Sequence, residues 1–111
     1  MVFFLITSCT SQLSVTPENL KNGLVNNYYE VLIEIEGGRV IEDSLRVDIN
    51  ADSGLEYKLK DQNKVDASNH IIIYGIPKKN GKIILNITGY VYKEGFSNDN
   101  QFNKKYSIEV N

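Results

Sequence analysis

A chain of 111 residues with 41% hydrophobic and 23% charged residues has room for one globular domain and enough apolar material to give it a core, which excludes wholesale disorder. Twelve basic against 14 acidic residues leave a formal net charge of -2 with no basic stripe, so nucleic acid is not an expected partner. The single cysteine, Cys9, rules out an internal disulfide.

The chain opens on Met-Val-Phe-Phe-Leu-Ile-Thr-Ser before Cys9. This apolar run is far too short to cross a bilayer, which takes about 20 apolar residues. Leu5-Ile6-Thr7-Ser8-Cys9 resembles a bacterial lipobox, with an aliphatic residue three before the cysteine and small residues between. Small side chains let a peptidase reach the scissile bond, and the thiol is the soft nucleophile that a thioether needs. The resemblance implies that residues 1–9 are the remnant of a lipoprotein signal, with Cys9 lipidated as the new amino terminus, and that residues 10–14 are a polar tether. A residue other than Asp after the cysteine implies the outer membrane. The run lacks the basic start of such signals, and its competing reading is an apolar first strand with a buried cysteine.

The domain is expected over residues 15–111. From Tyr28 the sequence alternates with period two: Tyr29, Val31, Ile33 and Ile35 fall on one side, and Glu30, Glu34 and Glu36 on the other. That is a half-buried strand, ended by Gly37-Gly38. Leu45, Val47 and Ile49 repeat the pattern, and Leu55, Tyr57 and Leu59 repeat it more weakly. After a polar stretch from Lys60 to Asn69, the β-branched run Ile71-Ile72-Ile73-Tyr74 reads as a central strand. Asn80-Gly81 predicts a two-residue hairpin to the next strand. In that strand Ile83, Leu85, Ile87 and Val91 share one face, and Ile84, Asn86, Thr88, Tyr90 and Tyr92 the other. A long connection from Lys93 to Lys105 then leads to a last strand with Tyr106, Ile108 and Val110. No segment carries a 3.6-residue apolar period. The fold class is therefore all-β: an immunoglobulin-like antiparallel β-sandwich of about seven strands.

Ile73-Tyr74-Gly75-Ile76-Pro77-Lys78-Lys79-Asn80-Gly81 resembles the Ile-x-Gly-x-Pro-x-x-x-Gly signature of the bacterial putative-Ig family, related to dystroglycan-type cadherin-like modules. The resemblance runs from about Val15 to Val110. It implies a non-catalytic binding, adhesive or spacer module of the cell envelope. This chain carries no second copy of the signature, whereas such modules commonly repeat in tandem. The alternative function is a spacer within a larger secreted adhesin or carbohydrate-active enzyme.

Candidate chemistry is sparse, and neither an enzyme nor a cofactor is expected. Asp48, Asn50 and Asp52 place oxygen ligands two apart, like the opening of a calcium loop, but Gly54 comes one residue late and Leu59 stands where a closing Glu belongs. Glu30, Glu34 and Glu36 are expected to form a solvated face paired with lysines across the strand. His70, the only histidine, sits at a strand entrance with no nucleophile elbow in the chain. The best binding candidates are aromatic: Phe96 and Phe102 in the long loop, and Tyr90 and Tyr92 on the outer strand face, available to a protein or glycan. Phe96 and Phe102 also suit a second role, folding back to cap the open end of the core.

Overall fold

The computed structural model describes residues 12–92 and 100–111, and these form seven strands. They are β1 (Ser14–Thr16), β2 (Tyr29–Glu36), β3 (Arg46–Ile49), β4 (Leu55–Leu59), β5 (His70–Gly75), β6 (Gly81–Tyr90) and β7 (Gln101–Val110). Two short 3-10 turns, Glu42–Ser44 and Ala67–Asn69, precede β3 and β5. One sheet has the order β1-β2-β5-β4 and the other β3-β6-β7, with every strand pair antiparallel. This is the strand order A-B-E-D and C-F-G of a constant-type immunoglobulin sandwich.

Alternation decides which face of each strand is inside. Ile33 and Ile35 of β2, Ile71 and Ile73 of β5, Leu85 and Ile87 of β6, and Ile108 and Val110 of β7 are buried between the sheets, most of them completely. Each such side chain withdraws apolar surface worth about 1.5–3 kcal/mol from water. The domain therefore stands without the buried tryptophan or inter-sheet disulfide of antibody domains, for which the chain has no Trp and only Cys9. Tyr57 shares the inner face of β4 yet remains 42% exposed, because β4 is the edge strand of its sheet.

The segment after the first strand crosses from one sheet to the other. β1 pairs with β2, but Gly23 bonds in parallel to the end of β7, its N–H donating to the Glu109 carbonyl at 2.8 Å and its own carbonyl accepting from the Asn111 N–H at 3.0 Å. The segment between closes one side of the sandwich and drops Leu20 into the core. Two buried tyrosines pin it, one from each sheet: the Tyr29 hydroxyl donates to the Lys21 carbonyl at 2.8 Å, and the Tyr106 hydroxyl to the Pro17 carbonyl. Burial pushes both phenols up to about 12. Their neutral form is the one that donates.

Asn80-Gly81 is not a hairpin turn. β5 lies between β2 and β4, whereas β6 lies in the opposite sheet between β3 and β7, so the chain crosses the core between them. The crossing is dictated at Gly75-Ile76-Pro77. The Ile76 and Lys78 N–H groups donate to the carbonyls of Gly54 (3.2 Å) and Ser53 (3.3 Å) at the corner before β4, and Pro77 is buried without a donor of its own. Those bonds hold the chain away from a return along β5. Gly75, at φ +139°, makes this approach possible, since a Cβ there would strike the Gly54 carbonyl oxygen. Gly81 serves as the entry residue of β6 at φ +126°.

β7 also starts earlier than the sequence suggests. It pairs with β6 along its whole length, from Gly81↔Val110 to Tyr90↔Gln101. The expected long connection is therefore shortened by residues 101–105, whose lone apolar member, Phe102, packs inward at 4% exposure.

Candidate functional site

Three places hold the polar and aromatic side chains that could act on a ligand. At one end, the corner after β3 and the crossover to β6 enclose a cleft of about 260 Å³ lined by Asn50, Asp52, Ser53, Lys79, Asn80 and Lys82. The Lys79 ammonium lies 3.0 Å from Asp52 Oδ2, and its hydrogen bond holds that carboxyl below the usual range. Asn50 Oδ1 accepts the Ile84 N–H at 2.8 Å, and Asp48 stands on the exposed side of β3 opposite Asn86. The three oxygens read as the opening of a calcium loop thus face three different partners or directions. Among the described residues no three His, Cys, Asp or Glu side chains gather in a metal-binding set.

At the other end, β2, the start of β5 and the loop before it enclose a second cleft, of about 300 Å³, lined by Glu34, Lys60, Asp61, Lys64, Asp66 and His70. His70 Nδ1 lies 3.0 Å from Glu34 Oε2, and Nε2 lies 3.1 Å from Asp66 Oδ2. The bond to His70 lowers the Asp66 carboxyl below its ordinary range. Both ring nitrogens are engaged by carboxylates, so the ring directs no free nitrogen at a nucleophile. The carboxylates of β2 do not pair with lysines, because the register sets Glu34 opposite His70 and Thr16, Glu30 opposite Tyr74, and Glu36 opposite Ser14. Glu30 accepts instead from the Tyr28 hydroxyl at 2.8 Å.

Beside His70, Asn69 is 5% exposed and fully bonded. Its Oδ1 accepts the Val40 N–H at 2.9 Å, and its Nδ2 donates to the carbonyls of Ile35 (2.8 Å) and Gly38 (2.7 Å). It fastens the turn after β2 to the start of β5. Nothing in the polar stretch from Lys60 to Asn69 marks this one residue, because its partners lie about thirty residues upstream.

The third place is the outer face of the β3-β6-β7 sheet, where Tyr90 is 43% and Tyr92 51% exposed. The Arg39 guanidinium stands 4.6 Å from the Tyr92 ring centroid, a cation–π contact across the extension of β6. Phe102 does not join them. It pairs with Gly89 and its ring fills the space above that glycine, where a Cβ would come within 2.6 Å of the ring. Phe102 thus covers the end of the core. Cys9 and Phe96 lie outside the described residues.

Comparison with protein-family models finds no match, and searches of curated proteins and of solved structures find none either. Among the described residues no helix is long and apolar enough to cross a membrane.

Proposed function

We propose that this chain is a non-catalytic immunoglobulin-like module of a bacterial envelope lipoprotein, held at the membrane through Cys9 and acting as a binding or structural domain. The organisation of the chain carries the reading. A lipobox-like run ends at Cys9, a polar spacer follows, and β1 opens at Ser14, so only residues 10–13 separate the thiol from the sandwich. The kinship with cadherin-like immunoglobulin modules rests on the Ile73 to Gly81 motif and on the A-B-E-D and C-F-G strand order that accompanies it. His70 with Glu34 and Asp66 in one cleft, and Asp52 with Lys79 in the other, are held in ion pairs, which supports a module without chemistry. Tyr90 and Tyr92 would supply the contact surface for a protein or glycan.

Fractionation of a bacterium expressing the complete precursor tests the tether. The wild-type chain is expected in the membrane fraction and Cys9→Ser in the soluble fraction. Equal partition of the two would refute lipid anchoring.

A further inference from the structure

We infer that His70 is a proton-operated latch, which holds the loop between β4 and β5 closed over the second cleft when the imidazole is protonated and releases it when the proton leaves. Glu34 Oε2 and Asp66 Oδ2 lie 3.0 and 3.1 Å from the two ring nitrogens, and an ionised carboxylate only accepts. A protonated ring donates to both. A neutral ring has a single N–H, so one carboxylate must then face a nitrogen lone pair.

The arm that opens is Asp66. Glu34 sits within β2, paired on both sides by β1 and β5, whereas Asp66 lies in the loop with its side chain 51% exposed against 38% for Glu34. Asn69 marks the limit of the motion, because its three bonds to Val40, Ile35 and Gly38 do not involve His70. Within the loop short turns oppose opening: the Lys64 N–H to the Asp61 carbonyl, the Ala67 N–H to Lys64, the Asn69 N–H to Asp66 and the Asn63 N–H to Asp61 Oδ1, while the Lys60 N–H ties the start of the loop to the His70 carbonyl at 3.0 Å. The other charges lining the cleft are Lys60, Lys64 and Asp61. The two lysines oppose the imidazolium and Asp61 supports it.

The signs follow from the two partners. Asp66 is held ionised below its ordinary range by its bond to His70, so its contribution is present above the unfolded carboxylate range and fades as pH falls. Once the proton leaves, the ring can donate to one carboxylate only, and the latch opens.

Hydrogen exchange on the full chain, corrected for intrinsic rates, reads the loop directly. Protection of the amides of residues 62–67 is expected to fall roughly two- to fivefold between pH 5.5 and 8.5, the factor a solvent-exposed ion pair supplies. The amides of Ile71 and Ile73 in β5 are expected to keep theirs. His70→Gln and Asp66→Asn should each make the loop equally mobile at both pH values, and Asp66→Asn changes an exposed residue, so it keeps the test intact if His70→Gln does not fold. Flat protection in the wild type, or an unchanged slope in either folded variant, overturns the latch.

Discussion

Replacing Asn69 by Ala removes three hydrogen bonds of 2.7–2.9 Å from a site that is 5% exposed. Each bond has a net worth of about 1 kcal/mol, and the Val40 N–H, buried without an acceptor, adds a desolvation cost of about 1–3 kcal/mol. These overlap at Val40, so the loss should be about 3–5 kcal/mol, a large part of the 5–15 kcal/mol typical of a domain. Urea melts should show a lower midpoint with an unchanged slope, because the same surface is exposed on unfolding. Asn69→Asp sharpens the test. Its carboxylate can still accept from Val40 but faces the carbonyls of Ile35 and Gly38 with no donor, so it should destabilise at least as much at neutral pH and recover in part as acid protonates it. A loss below about 1 kcal/mol in Asn69→Ala would refute the claim that this side chain fastens β2 to β5.

Alkaline stability follows from Tyr29 and Tyr106, whose phenols burial pushes up to about 12. A folded-state value above the unfolded one means that their stabilisation is complete below pH of about 10 and is lost as pH rises towards 12, on the order of 2 kcal/mol per tyrosine. Circular dichroism melts across that range should fall steeply for the wild type and more gently for the double Phe variant; parallel curves would contradict the assignment. Gly81→Val should cost more than about 1 kcal/mol in urea melts because of its backbone at φ +126°, even though a Cβ there meets no neighbour. Lys79→Val should cost under about 0.5 kcal/mol, since its pair with Asp52 is exposed on both sides, and equal losses in the two variants would sink the argument.

The strands that bury one face were readable from the order of apolar and polar residues. Alternation over Tyr29 to Ile35 and Ile83 to Ile87, and the β-branched run at Ile71 to Ile73, places the same side chains inward that the sandwich buries. The sheet to which a strand belongs was not readable. Asn80-Gly81 is a local signal, and it cannot report that the Ile76 and Lys78 N–H groups are already committed to the corner at Ser53 and Gly54, more than twenty residues earlier. The first half of β7 escaped for a related reason: Gln-Phe-Asn-Lys-Lys has one apolar residue, and it is strand because Thr88, Gly89 and Tyr90 offer it a partner. The same limit applies to the polar clusters. His70 looked solitary because Glu34 is 36 residues away, and the lysines expected across from the β2 carboxylates are displaced by a register that only pairing defines. Tyr90 and Tyr92 were legible as an outward pair by parity, and Phe102 went to the core by the same parity once its strand was extended.

The membrane tether carries the functional reading, and the intact mass of the mature chain purified from a bacterium expressing the complete precursor tests it most directly. The account predicts a chain that begins at Cys9 and carries the added mass of thioether-linked lipid, with Cys9→Ser lacking that addition. A wild-type chain that begins upstream of Cys9 with an unmodified thiol would contradict it.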